Sequence, residues 1–178
     1  MPSEHRLAAV AVDDPVSIEP LFDEVLAALS DEGREVAGFI QREICGGDCQ
    51  DDIVMEDIET GERLSIMQML GPASRSCRLD LDALVRVSVR ALTRLNRRSR
   101  PDLMIVNRFG HAEVEGGGMR PVFEKALGLE IPVLTSVYGD SRSAWSSYVG
   151  DLSNVLLPVG SDTVMAWYRG ALENLKAR

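Results

Sequence analysis

The sequence predicts an α/β domain with a mainly parallel sheet and a β-hairpin insert. Three observations carry that expectation. Short apolar runs alternate with amphipathic stretches toward both ends of the chain, as strands joined by helical crossovers do. Leu103-Met104-Ile105-Val106 is apolar at every position, the pattern of a strand covered on both faces. Between these regions, Ile53 to Ile58 and Arg63 to Met67 are joined by Glu59-Thr60-Gly61-Glu62, a polar link with one glycine that reads as a hairpin connection.

The elements follow in order. Leu7 to Val12 is a buried strand, and Asp13-Asp14-Pro15 breaks it. An amphipathic helix follows, with Leu21, Phe22, Val25, Leu26 and Leu29 on one face. Ser17 is its expected N-cap, because that choice puts Pro20 in the first turn, where a missing N–H costs nothing. Gly33 ends the helix, and Val36 to Ile40 is the second strand. Beyond the hairpin, Gly71-Pro72-Ala73-Ser74 is a loop, and Asp80 or Asp82 starts a long helix. Leu81, Leu84, Val85, Ser88, Leu92 and Leu95 follow helical spacing on one face of it, with Arg86, Arg90, Arg94 and Arg97 opposite. That arginine stripe reads as a solvated face or as a partner surface. The loop from Asn107 to Arg120 follows the buried strand, Pro121 to Leu127 is helical, and Ile131 to Val137 is a strand. Val155 to Leu157 is a short last strand between helices over Ser143 to Leu152 and Ser161 to Leu175. No repeat or linker interrupts residues 1–178, which are expected to form one domain.

Composition narrows the function. The 28 Asp and Glu exceed the 19 Lys and Arg, for a net charge of −9, which opposes general binding to nucleic-acid backbones. No apolar run approaches the ~20 residues that span a bilayer. Met1 to Arg6 carries no stretch of signal-peptide type, so the expected compartment is the cytoplasm and no membrane insertion is expected. Three cysteines exclude a disulfide scaffold. Cys45 and Cys49 flank Gly46-Gly47-Asp48, but only Cys77, His5 and His111 remain to complete a zinc set, so free thiols and no metal site are expected. Seventeen of the 19 cations are arginine, a residue whose planar fork suits oxyanions.

Ligands of parallel sheets bind beyond the carboxyl ends of the strands, which here means three loops: Asp13 to Ser17, Asn107 to Gly118 and Tyr138 to Arg142. The first sits where a phosphate-binding loop would, yet it has no glycine and no lysine and carries carboxylates. Asp13 and Asp14 are expected to occupy free N–H groups of the helix start. The second is the richest. It begins with Asn107, a neutral amide and a weak ligand for a hard cation. Arg108, His111 and Arg120 are placed to surround an anion, and Gly116 to Gly118 permit close backbone approach. A further cluster, Arg75-Ser76-Cys77-Arg78, reads equally as an oxyanion site or as a helix-entry loop paired to Asp80 and Asp82.

Taken together, these segments resemble the nucleoside-triphosphatase family of P-loop proteins first known from thermophiles. The residues that carry the likeness are Gly38-Phe39 with Glu43, Asp57-Ile58-Glu59-Thr60-Gly61-Glu62, Leu79 to Leu84, and Leu103 to Gly110 with Glu113. The resemblance implies a three-layer sandwich and matches Glu113 to a family glutamate, but Arg108 replaces that motif's first glutamate and Asn107 its metal-binding aspartate. The chain is still more similar to an uncharacterised bacterial family with the same degraded phosphate loop. The similarity rests on Cys77-Arg78-Leu79-Asp80, Val106 to Gly110, Glu113 and Glu115-Gly116. Genes of that family often lie beside molybdate transport genes, which implies a role in oxyanion handling.

The expected function is therefore a non-catalytic domain that binds a small anion, molybdate or a nucleotide phosphate, at Arg75, Arg78, Asn107, Arg108, His111, Glu113 and Arg120. One alternative is a nucleoside triphosphatase with a rebuilt site in which Asp13 or Asp14 holds magnesium. The other is a protein-interaction module, contacting a partner or a second copy through the arginine-faced helix.

Overall fold

The apolar runs become the strands of one twisted sheet, and the amphipathic stretches become its covering helices. The structure is a computed structural model and describes residues 5–13, 17–44, 52–68, 78–150 and 154–176. In chain order the elements begin with β1 (Leu7–Val12), α1 (Glu19–Asp31), β2 (Val36–Ile44), β3 (Asp52–Asp57) and β4 (Arg63–Ser65). Next come β5 (Met67–Gln68), β6 (Arg78–Leu79), α2 (Leu81–Leu95), β7 (Leu103–Val106) and α3 (His111–Val114). The chain continues through α4 (Arg120–Gly128), β8 (Val133–Tyr138), α5 (Arg142–Val149), β9 (Asn154–Leu157) and α6 (Ser161–Lys176).

The seven-stranded sheet runs β4-β3-β2-β7-β8-β1-β9. The five strands from β2 to β9 are parallel to their neighbours, and the β3–β4 hairpin adds antiparallel to the edge at β2. Alternation along the strands splits the core into two layers. Ala37, Phe39, Met104, Val106, Val133 and Val137 face α2, α4 and α5. Ala8, Val10, Val12, Ile105 and Leu134 face α1 and α6. The result is a three-layer sandwich. Gly38 lets β2 lie against β7: its φ is +124°, and a Cβ there would stand 1.9 Å from the Ile105 carbonyl oxygen.

Helix α1 starts from Ile18, with no side-chain cap, so Ser17 lies outside it; Pro20 does fall in the first turn. Glu19 ties the helix start to β2 instead, accepting from the Glu43 N–H at 2.9 Å. The strand expected over Arg63 to Met67 divides: β4 pairs with β3, and Met67 pairs with Leu79 in a separate two-stranded ribbon. The stretch from Asn107 to Arg120 is only partly loop, since it contains α3.

Helix α2 starts at Asp80, which accepts from the Ala83 N–H, but its buried stripe is rotated from the expected one. Ala83, Leu84, Val87, Ser88, Ala91, Arg94 and Leu95 face inward, while Leu81, Val85 and Val89 are each more than half exposed. Small residues let the helix approach its neighbours closely, and a buried carboxylate draws in the arginine. Arg94 is therefore no part of a solvated stripe. It grips the fully buried Asp57 through two bonds, Nη1 to Oδ1 at 2.6 Å and Nη2 to Oδ2, and also pairs with Glu59 at 2.5 Å. Asp57 in turn accepts from the Glu59 and Thr60 N–H groups, so one carboxylate locks the hairpin turn onto α2. Burial pushes the Asp57 carboxyl upward, but Arg94's hydrogen bonds and charge outweigh it and hold the group below its ordinary value.

Candidate functional site

The chain leaves β1 for β2 on the far side of β8 and β7, so the connections after β1 and β7 diverge and open a crevice at the carboxyl edge. A cavity of about 660 Å³ fills it. Its lining comes from all three loops that the sequence singles out: Asp13 and Ser17, then Arg108 to His111, then Tyr138 to Ser141, with Glu43 at the end of β2.

The segment after β7 is held firmly. The Asn107–Arg108 peptide is cis. The Asn107 N–H donates to the Phe39 carbonyl, and the Phe109 N–H donates to that of Ser136. Phe109 is buried among Phe123, Trp145 and Tyr148, with ring centroids 5.1–6.3 Å apart. Such pinning projects Arg108 outward between two buried neighbours. Its guanidinium lies 4.9 Å from the Tyr138 ring centroid, a cation–π contact on the cavity wall. Among the described residues it makes no ion pair with a carboxylate.

The other expected site residues divide. His111 is exposed on the same wall, with Nε2 3.3 Å from Glu115. Asn107 is buried, and its Oδ1 accepts from Ser136 Oγ at 2.6 Å. Glu113 is buried and serves the loop itself: its carboxylate accepts from the Gly110 and Met119 N–H groups, both at 2.9 Å. Burial pushes the Glu113 carboxyl above its ordinary value, and those two donors only partly oppose this. Gly118 is required there, since a Cβ would stand 2.2 Å from Glu113 Oε1. Arg120 lies away from the main cavity, with its guanidinium 4.3 Å from the Tyr148 ring centroid. Arg78 belongs to β6, whereas Arg75 and all three cysteines lie outside the described residues, as do Asp14 and the loop at Gly71 to Ser74.

Asp13 is not spent on the helix start. It pairs with Arg142 at 2.6 Å, across from β1 to α5. In the sequence Asp13 and Arg142 stand in separate strand-end loops with no sign that they pair, and nothing there marks Tyr138 as the platform for Arg108. Parallel pairing of β1 with β8, which brings Val12 beside Tyr138, is the signal that joins them.

A family model described as "Protein of unknown function (DUF2478)" matches residues 7–167. The chain belongs to this family. A curated relative, the "Molybdenum import ATP-binding protein ModC 2" of Bradyrhizobium diazoefficiens, is 30% identical over 173 residues. That match takes in 97% of the chain but only 19% of the relative, so this DUF2478 chain spans about a fifth of the curated protein's length. Two solved structures share the fold. The human cancer-related nucleoside triphosphatase aligns with a TM-score of 0.57 at 15% identity, over 96% of this chain and 98% of its own. THEP1 from Aquifex aeolicus aligns with a TM-score of 0.55 at 12% identity, over 95% and 99%. The α/β fold of P-loop nucleoside triphosphatases is thus the fold of this DUF2478 chain.

That fold commonly serves a magnesium-bound nucleotide, and the described residues do not offer ligands of that type. The first loop offers neither glycine nor lysine, Asp13 is engaged by Arg142, and Asn107 presents an amide whose oxygen is already bonded. Among the described residues, no group of three or more His, Cys, Asp or Glu stands ready to hold a metal ion. Nor is any described helix long and apolar enough to cross a membrane.

Proposed function

We propose that the chain acts as a single P-loop-NTPase-like domain that binds one small anion, an oxyanion such as molybdate or a nucleotide phosphate, and regulates rather than hydrolyses. Arg108 is the observation that carries this reading. It forms no salt bridge with a carboxylate among the described residues, although its charge acts on the buried Glu113, and it is braced on Tyr138, facing a 660 Å³ cavity at the carboxyl edge of parallel strands. A planar guanidinium held by an aromatic face is preorganised to offer two parallel N–H donors to an oxyanion. Asp13 is neutralised by Arg142, while Glu43 and Asp140 line the cavity as exposed acids. That charge pattern admits one compact anion and repels an extended polyanion. The lack of glycine and lysine from Asp13 to Glu19 supports the non-hydrolytic part, and the molybdenum-import name of the curated relative supports molybdate as the first anion to try.

Titration calorimetry with molybdate, tungstate, sulfate and nucleotides tests the reading. Saturable heat that falls in Arg108→Ala is expected, without phosphate release from nucleoside triphosphate and magnesium. No heat with any of them, from folded protein, overturns it; sustained release that Arg108→Ala abolishes would favour the rebuilt hydrolase.

A second reading has its own observation. Leu81, Val85 and Val89 form an exposed apolar row at i, i+4, i+8 on α2, beside Arg86 and Arg90. This row is a contact face for a second copy or another protein. Sedimentation of wild type against Val85→Asp/Val89→Asp tests the former: equal monomer mass for both removes the second-copy contact.

A further inference from the structure

A second cavity, of about 250 Å³, opens on the other side of the Arg108–Gly110–His111 wall, under the β3–β4 hairpin and α2. Its character differs from the first. Met55, Met67 and Met119 are among its apolar lining residues, and thioethers adapt to flat rings and make favourable contacts with them. Two carboxamides interrupt the apolar surface, beside a Glu113 carboxylate already bonded to the Gly110 and Met119 N–H groups. Gln41 reaches it because Ala37, Phe39 and Gln41 share one face of β2, the face toward α2. Asn107, 2% exposed, lines it as well; with its Oδ1 bonded to Ser136, its amide N–H groups have no protein partner among the described residues. An amide N–H that faces a cavity with no protein acceptor is open to an acceptor supplied from outside.

We infer that this cavity is a subsite for a fused heterocyclic ring with a carbonyl edge, joined across the shared wall to the anion held at Arg108. The inference rests on the anion reading above and narrows it: the ligand is an organic phosphate with a planar, lactam-bearing ring rather than a bare oxyanion. Size agrees. Whole small-molecule sites run to about 300–1,000 Å³, and 250 Å³ suits one ring system of a larger ligand. Asn107 N–H donates to the ring carbonyl, Gln41 matches the neighbouring N–H, and the methionines cover the ring faces.

Calorimetry on the full chain with inorganic phosphate, molybdate, AMP, GMP, IMP and guanosine tests it, with thermal unfolding to confirm folded variants. GMP or IMP is expected to bind at least tenfold more tightly than phosphate or AMP. Met67→Trp, a half-buried position that fills the cavity, should erase that advantage and leave the phosphate constant within twofold; Gln41→Leu should reduce it at least threefold. Equal affinity for GMP, AMP and phosphate overturns the ring subsite while leaving the anion reading intact, and so does an advantage that survives Met67→Trp. If no anion binds, guanosine decides: binding lost in Met67→Trp keeps the ring subsite without the anion reading, and no binding ends both.

Discussion

Arg94→Met removes a guanidinium, including its cation–π contact with Phe39 at 5.7 Å, and keeps an apolar side chain of similar length. The fully buried Asp57 then retains the Glu59 and Thr60 N–H donors but loses both bonds to Arg94. Removing one partner of a buried pair costs about 3–5 kcal/mol, because the other charge stays desolvated. At roughly 2–4 °C per kcal/mol for a chain of this size, Tm should fall by roughly 6–20 °C. The double variant Asp57→Asn/Arg94→Met leaves no bare charge and should recover at least half of the loss. Urea titrations followed by circular dichroism measure all three proteins. A pH series adds a second check. Arg94 overrides burial to hold the Asp57 carboxyl low, so its stabilisation is present above the unfolded pKa of about 3.9 and is lost as pH falls through the lower folded value. The gap between wild type and Arg94→Met should therefore narrow on acidification below pH ~4. A gap under about 1 kcal/mol at pH 7, or a double variant less stable than the single one, refutes the role given to this pair.

Further predictions follow from other contacts. Glu113→Ala strands the Gly110 and Met119 N–H groups and should cost roughly 2–5 kcal/mol in urea unfolding. Since burial raises the Glu113 carboxyl, its protonated form favours the fold, and this contribution fades as pH rises through the folded pKa; Glu113→Ala should lack that step. Gly38→Ala forces a Cβ against the Ile105 carbonyl and should destabilise by more than ~2 kcal/mol, read as a lower urea midpoint. Burial pushes the Tyr168 phenol up to about 12, so stability should decline between about pH 10 and pH 12, and Tyr168→Phe should flatten that decline in alkaline melts. Arg108→Ala should leave urea stability within about 0.5 kcal/mol while weakening oxyanion binding roughly tenfold or more in calorimetry.

Legibility in the sequence followed the length and symmetry of each signal. Leu103 to Val106 is a strand at those same bounds, because four apolar residues between charge and turn leave no competing structure. Asp80 is legible as a cap by its position before a periodic run. The buried stripe of helix α2 is rotated from the expected one, since counting large apolar residues gives Leu81 and Val85 more weight than Ala83 and Ala91. Arg94 was misread because its partner, Asp57, lies 37 residues away, across the hairpin. The three strand-end loops singled out by the sequence do line one cavity. What the sequence hides is which loop residues neutralise each other: the Asp13–Arg142 pair and the Glu113 knot depend on β8 lying beside β1 and on α3 folding back on itself.

Oxyanion binding at Arg108 is tested most directly by an anomalous difference map from crystals grown with molybdate, recorded at the molybdenum edge. One strong peak is expected beyond the carboxyl ends of β1, β7 and β8, within hydrogen-bonding distance of Arg108 and absent in Arg108→Ala. A peak confined to other arginines, or no peak in well-ordered crystals at saturating molybdate, contradicts oxyanion binding at this site.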